Sequence, residues 1–195
     1  ADLVRQLAAK ADILIENFKP GGLQKYGLDY ASIAAFNPGI IYCSITGFGQ
    51  TGPYSHRSGY DFLIQGMGGL MSITGQPDGS PGGGPMKVGV AVCDLFTGMF
   101  AANAALAALA YRSRTGIGQH IDCALLDSQI SMLANQSANW LNAEICPDRM
   151  GNSHPSVVPY TVYEAKDGFV IIACGNDKQF IRLTAALGIP ALADD

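Results

Sequence analysis

Apolar residues at Leu3, Leu7 and Ala11 recur at helical spacing, and the run that follows, Asp12 to Phe18 (DILIENF), is short, apolar and closed by Pro20-Gly21-Gly22. A helix face and then a short buried strand are the elements these patterns predict. Tyr30 to Phe36 predicts another short helix, stopped by Asn37-Pro38-Gly39, and Ile40 to Ile45 a second buried strand. A glycine-rich stretch from Gly66 to Gly84 interrupts the rhythm; because it holds Leu70, Met71 and Ile73 it reads as a functional loop and not a linker. Lys87 to Cys93 then predicts a strand running straight into a long alanine-rich helix, Asp94 to Tyr111. Arg112, Arg114 and Gly116 suit the end of that helix, where cations meet the dipole and glycine the cap. Gln119 to Cys123 predicts a strand feeding a helix over Leu126 to Leu141. Strands alternating with helices point to parallel αβ units, so the expected fold class is α/β, an open and mostly parallel sheet with flanking helices.

Past Pro147 the composition turns to Gly, Ser, His and Pro. A hairpin follows, Tyr160 to Tyr163 with Phe169 to Cys174, joined at Lys166-Asp167-Gly168, where Asp-Gly is a strong turn signal. A helix from Lys178 to Leu187 ends at Gly188, with Pro190 beyond. The division expected is a partial α/β domain over residues 1–146, then a linker and the start of a smaller α+β domain over 147–195.

Charge narrows the function. Sixteen acidic residues against twelve basic give a net charge of −4, which excludes a phosphate-tracking nucleic-acid binder and a basic membrane-surface helix. No run reaches the ~18 to 20 uninterrupted apolar residues of a spanning helix; the nearest, Met99 to Tyr111, is broken by Asn103. Only 14% of residues are charged, against roughly 25% in soluble domains, so either the core is large or apolar surface faces protein outside this chain. Ala1 opens inside a helical pattern with no initiator methionine or signal peptide, so the chain is expected to be a central fragment of a larger protein. Cys43, Cys93, Cys123, Cys146 and Cys174 form no CxxC pair and read as buried free thiols of a reducing compartment. The expected location is the cytoplasm, or the mitochondrial matrix if the source is a eukaryote.

Gly47-Phe48-Gly49-Gln50-Thr51-Gly52 matches the dinucleotide fingerprint GxGxxG. That motif needs a helix start directly after it and an acid about twenty positions on, whereas Pro53 follows at once and position 72 is serine. A tight loop after a strand is the expected reading. Asp94 stands where a strand meets a helix, at the sheet edge where open α/β folds gather ligands. On spacing alone it reads first as a helix N-cap, and a carboxylate nucleophile is not exclusive of that reading. Asn17, Phe18 and Lys19 occupy another strand end and by themselves read as a turn; Lys25 is able to meet a phosphate but by itself reads as solvated surface. His56, His120 and His154 lack metal-ligand spacing, so no metal site is expected, and no GxSxG elbow is present.

Taken together, Asp12 to Gly27 (DILIENFKPGGLQKYG), Ile41 to Pro53 (IYCSITGFGQTGP), Gly59-Tyr60-Asp61, Gly89 to Gly98 (GVAVCDLFTG) and Arg114 to Asp122 (RTGIGQHID) resemble the class III CoA-transferases. That family includes the formyl-CoA:oxalate and carnitine CoA-transferases and the bile-acid inducible protein. Segments Ile41 to Tyr60, Ile121 to Asn139 and Val157 to Phe180 are most similar to its succinyl-CoA:glutarate, or dicarboxylate, branch. The resemblance spans nearly the whole chain, in order.

The resemblance implies that Asp94 is the nucleophile of a CoA-transferase, passing through an aspartyl anhydride and an aspartyl-CoA thioester, with CoA thioester and small carboxylate as substrates and no cofactor beyond them. Asn17, Phe18 and Lys19 match the segment that lines the CoA site in relatives. Lys25 stands where relatives carry a basic residue near the CoA phosphates, Tyr60 matches an active-site tyrosine, and Arg57 is counted with the substrate-binding residues. α-Methylacyl-CoA racemases share the fold and the aspartate but carry histidine where this chain has Tyr60, and tyrosine is a poor second base for moving an α-proton. Relatives are about twice as long and form interlocked homodimers, which leaves a third reading, a fragment that only assembles or binds CoA weakly. His154 is expected to be a surface or hinge residue.

Overall fold

The computed structural model describes residues 1–194, in two compact units: Ala1–Ser72 with Met86–Pro147, and Ile73–Pro85 with the chain from Asp148 onward. The second half of the glycine-rich stretch thus belongs to the second unit, while its first half is helical.

The first unit is built on a three-stranded parallel sheet. In chain order its elements are α1 (Asp2–Ala8), β1 (Ile13–Glu16), α2 (Tyr30–Ala34), β2 (Ile41–Thr46), α3 (Asp61–Met67), α4 (Leu70–Ile73, which runs into the second unit), α5 (Val92–Thr115), β3 (Gln119–Ala124), α6 (Leu125–Ser131) and α7 (Asn135–Ala143). Strand order is β1-β2-β3, with Ile13 opposite Ile41 and Ile41 opposite Gln119. The central strand is covered on both faces, which is why its sequence reads as an unbroken apolar run. On one face Tyr42 packs with Ala8, Ile33 and Ile40 from the α1 and α2 side. On the other, Ile41 and Cys43 meet Ala101, Ala105 and Ala108 of α5.

Small residues let α5 lie close to the sheet: Cys93, Thr97, Ala101, Ala105 and Ala108 form its buried stripe. Leu95, Phe96, Met99, Phe100 and Leu106 on the rest of the helix are exposed. α5 is 24 residues long and holds an 18-residue window of mean hydropathy 1.6, so by length and composition it could cross a membrane, a property that counting uninterrupted apolar runs did not reveal. At its far end the Arg112 guanidinium donates to the Asp12 carboxylate at 2.8 Å and to the Gly39 carbonyl at 3.1 Å, and Gly116 closes the helix at φ +74°. Two turns of sheet-facing backbone crowd here as well: a Cβ on Gly118 would lie 1.9 Å from the Ile40 carbonyl oxygen.

Three expectations need correction. No strand forms over Lys87 to Cys93: the Val88 N–H donates to the Gln65 side chain, the Cys93 N–H to Asp61 and the Val92 N–H to the Val90 carbonyl, and none of these three donors pairs with a neighbouring strand. The helix expected over Leu126 to Leu141 is two, α6 and α7, broken where Ala134 adopts φ 46° and ψ −116°. That conformation strains a residue with a Cβ and costs of order 1–3 kcal/mol. Ala134→Gly is therefore expected to stabilise the protein by about 1 kcal/mol, read as a rise in thermal midpoint; a fall would show that the break is held by the alanine. Third, four of the cysteines are buried free thiols but Cys146 is exposed.

In the second unit an antiparallel hairpin, β4 (Tyr160–Ala165) and β5 (Gly168–Ala173), turns through Lys166-Asp167. Helix α8 (Asp177–Ala186) follows, capped by the Asn176 side chain, which accepts from the Gln179 N–H, and Gly188 turns the chain away at φ +74°. The segment Ile73–Pro85 is tied to this unit by the Gly151 N–H donating to the Gly75 carbonyl and by an Arg149–Asp78 ion pair. His154 packs against the Tyr160 ring at 5.0 Å, and its Nδ1 accepts from the Ser156 N–H.

Candidate active site

Loops leaving the carboxyl ends of β1 and β2 meet the start of α5 around a cavity of about 650 Å³ in the first unit. Six of the residues singled out in the sequence line it: Asn17, Phe18, Lys19, Arg57, Tyr60 and Asp94. Lys25 does not; its ammonium lies over the Tyr26 ring, 4.9 Å from the centroid.

Each of the six is positioned by local chemistry. Phe18 is the second residue past β1, its N–H donating to Glu16 Oε2 at 2.8 Å, and Asn17 to Lys19 border the cavity. After β2 the Thr46 hydroxyl accepts from the Gly49 N–H at 2.9 Å and holds the glycine loop in a tight turn, with Gly49 at φ +84°. The loop doubles back so closely that a Cβ on Gly47 would lie 2.5 Å from the Gly59 Cα. This backbone contact places Ser58, Gly59 and Tyr60 on the cavity wall. Tyr60, the N-cap residue of α3, is 77% exposed. The Arg57 guanidinium sits over the Tyr54 ring at 4.2 Å, and Tyr54 packs edge-on against Phe48.

Asp94 is not the N-cap of its helix. Ala91 holds that position, and Asp94 is the third residue of α5, exposed toward the cavity. Capping comes instead from α3: Asp61 Oδ1 accepts from the Cys93 N–H at 2.8 Å, and Asp61 Oδ2 from Gln65 Nε2 at 2.7 Å. Gln65, fully buried, uses its other amide atom to accept from the Val88 N–H at 2.8 Å. Asp61 and Gln65, one helical turn apart, thereby clamp the residues on either side of the entry to α5. Neither was assigned a role in the sequence: the i, i+4 spacing of Asp and Gln points to their mutual hydrogen bond but not to the distant Val88 and Cys93 donors. Desolvation first, and the Asp61 charge second, push the Asp94 carboxyl above its ordinary value. Burial, then Asp61, pushes the neighbouring Cys93 thiol up to about 12, which keeps it protonated and unreactive at neutral pH.

A second cavity of about 290 Å³ is lined by Glu16, Lys19, Tyr30, Tyr42, Ser44 and His120 among others. Ser44 Oγ and His120 Nε2 lie 2.9 Å apart; Ser44 is only 1% exposed, whereas His120, on which Tyr30 stacks at 4.8 Å, is exposed. Among the described residues no group of three His, Cys, Asp or Glu is placed to hold a metal ion.

A cavity of mixed lining at strand ends, with one carboxylate at a helix start and two cations on its wall, is suited to acyl chemistry on an anionic substrate. Comparison with known proteins gives that chemistry a family. A succinate–glutarate CoA-transferase of Agrobacterium fabrum is 58% identical over 193 residues, covering 99% of this chain and 47% of the relative. A succinyl-CoA:glutarate CoA-transferase of Mus musculus is 48% identical, covering 99% and 43%. Among solved structures, a CaiB/BaiF family protein from Brucella suis superposes with a TM-score of 0.85 at 57% identity, over all of this chain and 50% of that one. The chain thus spans about half the length of these relatives. Since the sequence model of CoA-transferase family III matches residues 1–195 end to end, the chain belongs to that family.

Proposed function

We propose that the intact protein moves CoA from an acyl-CoA donor such as succinyl-CoA to a small carboxylate or dicarboxylate acceptor, with Asp94 as the covalent carrier. The observation that carries this reading is the placement of Asp94: exposed at the start of α5, in one cavity with the strand-end residues Asn17, Phe18 and Lys19. An Asp94 oxygen attacks the thioester carbonyl and the CoA thiolate leaves, forming an aspartyl anhydride. The thiolate then attacks the aspartyl carbonyl and expels the donor carboxylate, leaving an aspartyl-CoA thioester. An acceptor carboxylate attacks that thioester, CoA leaves again, and its return to the acceptor carbonyl frees Asp94. Each step exchanges one activated acyl bond for another, and no net proton is consumed. Backbone N–H groups of the glycine loops are suited to the developing oxyanions. Asn17, Phe18, Lys19 and Tyr60 would line the path of CoA. Lys25, outside this cavity, would serve only where a long nucleotide tail reaches past it.

Succinyl-CoA and isotopically labelled glutarate given to the intact protein should yield labelled glutaryl-CoA and free succinate. Label appearing in no thioester would refute the reading. Tyr60 at the cavity wall disfavours the racemase, whose signature would be deuterium entering the α-carbon of an acyl-CoA in heavy water.

A pH dependence follows from the carboxylate pair. The attacking form of Asp94 is the anion, so the rate falls as pH drops through a pKa that desolvation and Asp61 hold above the ordinary value. Asp61→Asn removes the second cause while keeping an oxygen that accepts from the Cys93 N–H. The acid limb of kcat/KM is expected to move to lower pH; an unmoved limb, or one moved upward, would separate Asp61 from Asp94.

A further inference from the structure

We propose that Arg57 is the residue that selects dicarboxylic acyl groups: its guanidinium takes the free carboxylate of a substrate whose reacting carboxyl end lies at Asp94. The proposal rests on the reading of Asp94 as the acyl carrier and adds to it the means of choosing the acyl group.

Four observations converge on Arg57. It lines the same cavity as Asp94. Among the described residues the arginine ion pairs are Arg5 with Asp2, Arg112 with Asp12 and Arg149 with Asp78, so none of the described carboxylates pairs with Arg57. Its surroundings favour one placement: the guanidinium carbon sits 4.2 Å over the Tyr54 ring, Tyr54 packs edge-on against Phe48 at 5.5 Å, and the Arg57 backbone N–H donates to the Tyr54 carbonyl at 2.8 Å. A cation–π contact holds the side chain without using up its hydrogen-bond donors. Finally, the other cation on the wall, Lys19, borders the smaller cavity as well and follows Asn17 and Phe18 at the end of β1. Lys19 is a point charge on a flexible stem that borders two spaces, whereas Arg57 presents a planar fork, resting over the Tyr54 ring, to one.

A planar fork matches the two oxygens of a carboxylate, and less of its freedom is lost per hydrogen bond than for a lysine. An acyl group with a second carboxylate would gain this pairing; one ending in a methyl group would leave the guanidinium with no counter-charge and gain nothing from it. Selection for dicarboxylates then follows from a difference in contacts, without a change in the reacting groups.

The test uses the intact protein with Arg57→Gln and Arg57→Lys, glutarate and valerate as acceptors, and succinyl-CoA and butyryl-CoA as donors. In Arg57→Gln the ratio of kcat/KM for glutarate to that for valerate is expected to fall about 30-fold, the range of a lost charged hydrogen bond. The succinyl-CoA to butyryl-CoA ratio should fall in the same direction. Arg57→Lys should recover only part, because it restores charge without the fork. An equal loss for both acceptors, or a weakened Kd for free CoA with the ratios unchanged, would overturn the proposal and assign Arg57 to the CoA moiety; unchanged ratios and unchanged Kd would overturn it too. Asp94→Ala, measured alongside, separates the two readings. If it keeps normal exchange, the carrier assignment fails; if it is inactive and the Arg57 ratios stay fixed, only the selectivity assignment fails.

Discussion

Asp94→Ala is expected to reduce CoA exchange by on the order of 10⁴-fold or more, the scale at which removal of a covalent nucleophile is felt. Asp94→Asn should do the same, because an amide oxygen does not attack a thioester at a useful rate. Stability should barely change. Asp94 is exposed, its side chain does not cap α5, and its removal relieves repulsion from Asp61 while forfeiting only the favourable placement of an acid near a helix N-terminus, about 0.3–1 kcal/mol. Chemistry and folding thus separate at this position. Steady-state rates with succinyl-CoA and glutarate, together with a thermal melt, read both. A variant that melts like the parent and has lost exchange agrees with the carrier role, and a variant that exchanges normally removes it.

Gly47→Ala is expected to lose both stability and rate, for a reason unrelated to nucleophilicity. A Cβ at position 47 would lie 2.5 Å from the Gly59 Cα and 2.6 Å from the Gly59 nitrogen, backbone that has no rotamer with which to yield. Gly59 meets the same wall in reverse, with a Cβ 2.7 Å from the Gly47 Cα. Forcing the strands of this loop apart costs about 3 kcal/mol by analogy with overpacked cores, or a thermal midpoint lower by roughly 6–12 °C for a chain of this size. Because Gly47 and Gly59 share the cavity wall with Arg57 and Tyr60, the shift should also misplace substrate and lower the rate by about 10²-fold. Gly59→Ala should follow in the same direction. If either variant keeps its midpoint and its rate, the close approach of the two glycines is not a constraint on the site.

The three parallel strands were legible because β2 is buried on both faces and so reads as the run Ile40 to Ile45. The segment before Asp94 was not legible. Val88 to Val92 has the composition of a strand, yet the Val88 and Cys93 N–H groups are taken by Gln65 and Asp61, partners 23 and 32 positions away that no local pattern reveals. The break between α6 and α7 falls at Ala134, a residue with no turn signal of its own, and there periodicity had nothing to warn it. For α5, apolar character that suits a spanning helix is split between a small-residue stripe on the sheet and an exposed face of Leu95, Phe96 and Met99. At the site, placement at strand ends pointed to Asn17 to Lys19 and to Asp94, and the family resemblance added Arg57 and Tyr60; all six share one cavity. Lys25, able to meet a phosphate by its chemistry and matched to a basic residue by resemblance, stands over Tyr26 in this structure. Asp61 and Gln65 stayed hidden because their work is tertiary, fastening the entry of α5 to α3.

The covalent step is open to direct trapping. Intact protein incubated with succinyl-CoA in the absence of acceptor, treated with hydroxylamine and digested, should yield a hydroxamate on the peptide that contains Asp94, and the adduct should vanish when acceptor is added before the hydroxylamine. A hydroxamate on a different residue, or turnover at the normal rate with Asp94 never modified, would contradict transfer through Asp94.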